Sequence, residues 1–168
     1  MAGKSGKTTR KSQKTPRVMI VLGSKSDLPV IEGMYALLDR FGLSYGVEIA
    51  SAHRQPQKLK RIITTSEKGG TEIFVAAAGM AAHLPGVMAS MTGKPVIGIP
   101  VASGPLMGID ALLSIVQMPP GVPVATVAVG SAGARNAACL AARMLALKDA
   151  KVAAAVEEYR KELARGGR

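Results

Sequence analysis

Only two histidines occur in the 168 residues, and each stands in a loop of small residues. His53 lies in SAHRQP, residues 51–56, and His83 in AGMAAHLPG, residues 78–86. An imidazole titrates near neutrality and is suited to moving a proton between substrate atoms. Small residues beside it let a ligand approach the backbone closely. Arg54 follows His53 directly and brings a guanidinium suited to clamping a phosphate. A third loop, GSKSD at residues 23–27, adds Ser24, Ser26 and Asp27. Paired hydroxyls and backbone N–H groups at a helix start suit a phosphate, and a carboxylate suits sugar hydroxyls. Plainer readings stand beside these. Ser26 or Asp27 would simply cap a helix. Arg54 would be a solvated charge, His53 a loop histidine, and His83 a packed or capping one.

Other chemistries are poorly served. GSKSD has neither the G-x-x-x-x-G-K-[ST] spacing nor G-x-G-x-x-G. One Cys and two His fall short of the usual zinc cage, so no metal site is expected. Cys139, in the small-residue stretch RNAACLAARML, reads as a structural thiol.

The loops need elements to hold them. Five apolar runs stand out: residues 18–22, 45–50, 73–78, 95–101 and 122–129. Most are continuously apolar rather than alternating, as in parallel strands buried on both faces. Helical patterns fall between them, at 29–41, 56–68, 83–92, 108–118 and 135–147, with a charged last helix at 149–164. Alternating strands and helices predict a three-layer α/β domain around a doubly wound parallel sheet. Ligands of such sheets bind beyond the carboxyl ends of the strands. That rule brings the three loops together, with Ser51 of the second. The residues alone predict a cofactor-free pocket for a small phosphorylated ligand.

The net charge of +11 suggests nucleic acid, but its distribution argues against that. Residues 1–17 hold six Lys/Arg and no acid, leaving sixteen basic against eleven acidic residues in the rest. A disordered basic tail is expected over 1–16 and a single domain over 17–168. An RNA- or membrane-attracted arm, or a remnant of a targeting signal, are its other readings. Aromatics make up only 3% of the chain, too few for a base-stacking surface. Gly and Pro interrupt every long apolar stretch, so no membrane span is expected. Residues 95–134 carry one charge, Asp110, and the helix among them has almost no polar face. Something must cover it: a second subunit, or the C-terminal helix.

GSKSD, SAHRQP, AGMAAHLPGV, SIVQMPPGVPVATVAV and NAACLAARMLAL follow in this order between Val18 and Leu147. Together they resemble the purine-biosynthetic PurE family. The resemblance is to its bacterial mutase class, which interconverts 5-(carboxyamino)imidazole ribonucleotide and 4-carboxy-5-aminoimidazole ribonucleotide. It implies a flavodoxin-like fold, a homo-octamer, and no metal, biotin or ATP; a cytoplasmic enzyme is expected. His53 would be the general acid/base. Ser24 and Asp27 would contact the carboxylate region and ribose. Ser51 and Arg54 would bind phosphate, with Ser26 adding a hydroxyl. Gly79, Ala81, His83 and Leu84 would form the loop enclosing the carboxyl group.

The pattern departs at Met80, where the mutase class carries a second Gly. The family's other class carboxylates aminoimidazole ribonucleotide with free carbon dioxide. It typically has Lys after SAH and lacks AAHLP, so Arg54 and residues 81–85 favour the mutase. A non-catalytic nucleotide-binding or RNA-associated module would instead bind without turnover, with steep salt dependence.

Overall fold

The computed structural model describes residues 15–167. The expected tail lies outside the described residues up to residue 14. Pro16 is already tied to the fold, its carbonyl accepting from Thr71 Oγ1 at 2.8 Å.

The apolar runs form five parallel strands: β1 Val18–Leu22, β2 Tyr45–Ile49, β3 Ile73–Gly79, β4 Val96–Val101 and β5 Ala125–Thr126. Their order is 2-1-3-4-5, that of the flavodoxin-like doubly wound sheet. In β1, Val18, Ile20 and Leu22 face one helical layer, while Met19 and Val21 face the other. In β3, Ile73, Val75 and Ala77 oppose Phe74, Ala76 and Ala78 in the same way. A strand buried on both sides has no polar face to alternate, which is why these runs read as unbroken.

One layer is built from α1 Leu28–Arg40, α5 Gly130–Ala146 and α6 Ala150–Ala164. The opposite layer holds α2 Pro56–Lys68, α3 Leu84–Ala89 and α4 Ile109–Val116. Pro29 and Pro56 sit in the first turns of α1 and α2, where a missing N–H costs nothing. Ile31, Met34 and Leu38 give α1 its buried stripe, and Leu59, Ile62 and Ile63 that of α2. Each such side chain, fully buried, contributes about 1.5–3 kcal/mol. Gly42, at φ 67°, turns the chain out of α1.

The structure moves several expected boundaries. β5 is two residues long, not eight. It lies at the sheet edge, and Pro123 has no N–H to give the ladder. Val127 N–H still reaches Gly98 O, at 3.1 Å. α5 starts five residues early, at Gly130. Gly133 permits close packing rather than breaking the helix: a Cβ there would overlap the carbonyl of Ala128. α3 and α4 are shorter than expected, and α4 ends three residues before Pro119, which begins the following turn.

The bare helix is where the sequence puts it. Leu106, Met107, Ile109, Leu113 and Val116, in and before α4, are exposed. α6 packs in the opposite layer, so the C-terminal helix does not cover them.

Candidate active site

β1 neighbours both β2 and β3, and the chain reverses its direction of travel across the sheet there. Loops at such a switch point diverge and leave a crevice. The loop after β1 makes one wall. Ser24 opens a short 3-10 turn, Lys25–Asp27. Its Oγ accepts from the Ser26 amide at 3.3 Å and the Ser26 hydroxyl at 2.8 Å. Asp27 Oδ2 accepts from the Ser24 amide at 2.9 Å. This reciprocal capping box fixes both side chains. Asp27 is only 5% exposed. Burial pushes its carboxyl above the ordinary value, and the hydrogen bonds from Ser24 and Ser26 only partly offset that.

The loop after β2 makes the second wall. Gln55 N–H donates to Ser51 O at 2.8 Å, and Arg54 N–H to Ser51 Oγ at 3.3 Å. These bonds curl residues 51–55 into a turn ahead of α2. His53 and Arg54 are both exposed, and Arg54 forms no ion pair among the described residues. A guanidinium without a protein carboxylate keeps its donors for a ligand.

The loop after β3 closes the site. Gly79 lies so near the loop after β4 that a Cβ would overlap Ser103 Oγ. Met80 then takes a left-handed backbone, φ 54°. The amides of Ala82 and His83 donate to the carbonyls of Met80 and Ala81, each at 2.8 Å. This tight fold directs His83 toward the second loop. His83 Nδ1 lies 2.7 Å from His53 Nε2, with the rings 82° apart. At that distance one nitrogen donates and the other accepts, so the rings share one proton position. Each ring keeps its other nitrogen for a ligand.

The three loops enclose a pocket of about 500 Å³, within the range of small-molecule sites. Ser24, Ser26, Asp27, Ser51, His53, Arg54, Gly79, Ala81, His83 and Leu84 all line it. So do Gly23, Ala52, Ala78, Met80 and Ser103, which the sequence reading left out as site residues. Ser103 had a usable signal: it follows β4, and the carboxyl-end rule applies to that strand too. The loop VASGP carries no charge or histidine to draw attention. The His53–His83 contact joins residues thirty positions apart and left no local sign. Among the described residues, no three His, Cys, Asp or Glu side chains converge as a metal-ligand set. The walls thus offer one carboxylate, one guanidinium, paired imidazoles and several hydroxyls. That set can bind an anion, hold a sugar and shuttle a proton.

Residues 17–166 match the family model described as AIR carboxylase. A Pyrococcus abyssi protein named N5-carboxyaminoimidazole ribonucleotide mutase is 48% identical over 150 residues, spanning 89% of this chain and 85% of its own. A Thermotoga maritima protein of the same name is 49% identical, spanning 89% and 86%. Among solved structures, Treponema denticola PurE aligns with a TM-score of 0.81 at 29% identity, covering 89% of this chain and 92% of that one.

Proposed function

The chain belongs to the AIR carboxylase family, and we propose that within it the protein is an N5-carboxyaminoimidazole ribonucleotide mutase of purine biosynthesis. The observation that carries this reading is the identity of 48% and 49% with proteins of that name over nearly the whole chain. The pocket supplies what the reaction asks for. Ser51 and Arg54 hold the phosphate, Asp27 meets the ribose, and the loop at 79–84 surrounds the carboxyl group, with Ser24 near it and Ser26 adding a hydroxyl.

The chemistry follows from two proton transfers through His53, one proton given to nitrogen and a different one taken from carbon. Protonated His53 gives its proton to the carbamate nitrogen. The N–C bond breaks and releases carbon dioxide. The electron-rich ring carbon attacks it, forming the C–C bond. His53 then takes the proton from that carbon and returns to its starting state. No atom is gained or lost, and His83 holds the His53 ring by the shared hydrogen bond. Keeping both fragments close and water out supplies much of the rate. Carboxylation by free carbon dioxide fits less well, given Arg54 after SAH and the AAHLP sequence at 81–85.

The bare apolar face around α4 supports a homo-oligomer, the octamer of the PurE resemblance. No helix among the described residues is long and apolar enough to cross a membrane; the cytoplasmic location is what the PurE resemblance implies. Two initial-rate assays test the reading. With the carbamate substrate, and neither ATP nor added metal, the expected result is rapid conversion. With aminoimidazole ribonucleotide and low bicarbonate, it is a slow reaction. Efficient use of the second with none of the first would make the protein a carboxylase.

A further inference from the structure

Resting on the mutase reading, we propose that Ser103 is a further substrate-binding residue: its hydroxyl, admitted to the pocket by the missing side chain of Gly79, donates a hydrogen bond to the carboxyl group that the reaction transfers.

Four serines line the cavity: Ser24, Ser26, Ser51 and Ser103. Three of them are engaged. Ser26 donates to Ser24 Oγ at 2.8 Å, and Ser51 Oγ accepts from the Arg54 amide at 3.3 Å. The pocket's other side-chain hydrogen bonds involve Asp27 and the two histidines, and among the described residues none reaches Ser103 Oγ. Ser103 is half-buried. No fully buried side-chain N or O lacks a partner among the described residues, so this unpaired oxygen is one that a ligand can reach.

Gly79 explains how the hydroxyl comes to lie there. It ends β3 and is not among the glycines of positive φ, so its missing side chain serves space rather than backbone conformation. A Cβ would overlap Ser103 Oγ and stand 3.1 Å from both Ser103 Cβ and the Val101 carbonyl oxygen. The loop after β4 is held from its other side too, where a Cβ on Gly108 would stand 3.1 Å from Ala102 Cα. Gly104, at φ 75°, turns the chain directly after Ser103. The hydroxyl is thereby set against the start of the loop at 79–84, the one that surrounds the carboxyl group in the proposed reaction.

A neutral donor suits this end of the pocket. The carbamate and the product each carry a carboxylate, and the carbon dioxide between them carries no charge. Breaking the N–C bond discharges the carboxylate, so a cation would hold the starting state more firmly than the transition state and slow the release. A hydroxyl gives a weaker, directional hold. Arg54 stays with the phosphate, whose charge the reaction does not change.

The test measures binding by calorimetry in the His53→Asn protein, so that turnover does not consume the ligand. The probes are 4-carboxy-5-aminoimidazole ribonucleotide and aminoimidazole ribonucleotide, which lacks only the carboxyl group. Adding Ser103→Ala should weaken the first about tenfold and change the second less than about twofold. Gly79→Ala, which displaces the hydroxyl, should weaken the first to a similar degree, and combining it with Ser103→Ala should add less than about twofold. No loss for the carboxylated nucleotide on Ser103→Ala overturns the proposal. So does an equal loss for both nucleotides, which would put the hydroxyl on another part of the substrate. Losses that add in full in the combined variant overturn the part given to Gly79. If Gly79→Ala does not fold, the two Ser103→Ala measurements decide alone. Failure of the wild type to convert the carbamate at all would refute the mutase reading itself, a result distinct from these.

Discussion

The two ends of the sheet are built on opposite principles. At the amino end, charges are matched. Arg17, just before β1, pairs with Glu72 before β3 at 2.6 Å and with Asp149 at the start of α6 at 2.7 Å. Lys148 adds a second cation to Glu72 at 2.5 Å, and Asp149 also caps α6 through the amides of Lys151 and Val152. At the carboxyl end, charges are left over. Arg54 has no ion-pair partner among the described residues, Asp27 is buried against its preference for water, and Met80 is strained. One end closes the fold, and the other holds groups whose partners arrive with a ligand. Substitutions should therefore separate activity from stability according to the end they strike.

The largest effect belongs to the carboxyl end. His53→Asn should lower turnover by about 10²–10⁴-fold while leaving affinity within about threefold, since it removes proton transfer but keeps a polar side chain. Steady-state kinetics beside calorimetry reads both. Arg54→Ala should raise KM for the phosphorylated substrate about 10–100-fold, with a smaller effect on kcat.

Asp27→Asn sharpens the contrast, because it should weaken binding without weakening the fold. Burial raises the Asp27 carboxyl pKa in the folded protein. Its contribution to stability is then complete below the ordinary carboxylate range and is lost as pH rises through the raised value. At neutral pH the ionised group is a liability. The variant should bind substrate about tenfold less tightly, yet unfold no lower than wild type at pH 7. Any thermal advantage should fade as the pH is lowered. A large loss of stability at pH 7 would show that the capping box outweighs the desolvation.

Arg17→Ala strikes the other end. The expected result is unfolding lowered by about 2–4 °C with turnover unchanged. The Arg17 hydrogen bond chiefly lowers the Asp149 pKa. Burial pushes Glu72 up, but Lys148 and Arg17 together bring it below its ordinary value. Carboxyls lowered on folding stabilise above their unfolded pKa, and that stability is lost as pH falls through the folded value. The gap between variant and wild type should accordingly be full at neutral pH and close in acid. The smallest effect is expected from removing residues 1–14. Assembly, unfolding temperature and rate should all stay near wild type, because that stretch has no core-forming pattern.

How much of this was legible differs by residue. β1 and β3 were plain because double burial demands unbroken apolar runs. The apolar run at 122–129 overstates β5, since Pro123 and the edge position restrict pairing in a way that composition does not show. The sequence pattern understates α5, because glycine signals a break as readily as the close approach that Gly133 makes to Ala128. The site loops stood out through rare residue types: two histidines, and an arginine among small neighbours. Ser103 had no such mark. Met80 was visible as a residue out of pattern, but a methionine does not announce a left-handed backbone. The contact between His53 and His83 depends on two loops meeting across β1, which only the strand order brings about.

The central claim, that the carboxyl-end loops hold the phosphate at one wall and the carboxyl group at another, is tested most directly by a crystal structure. The inactive His53→Asn protein would be soaked with the carbamate substrate. The account predicts phosphate on Ser51 Oγ and the Arg54 guanidinium, ribose near Asp27, and the carboxyl group within the loop at 79–84 beside His83. A substrate bound elsewhere, or with its phosphate in the 79–84 loop and its carboxyl group on Arg54, would contradict it.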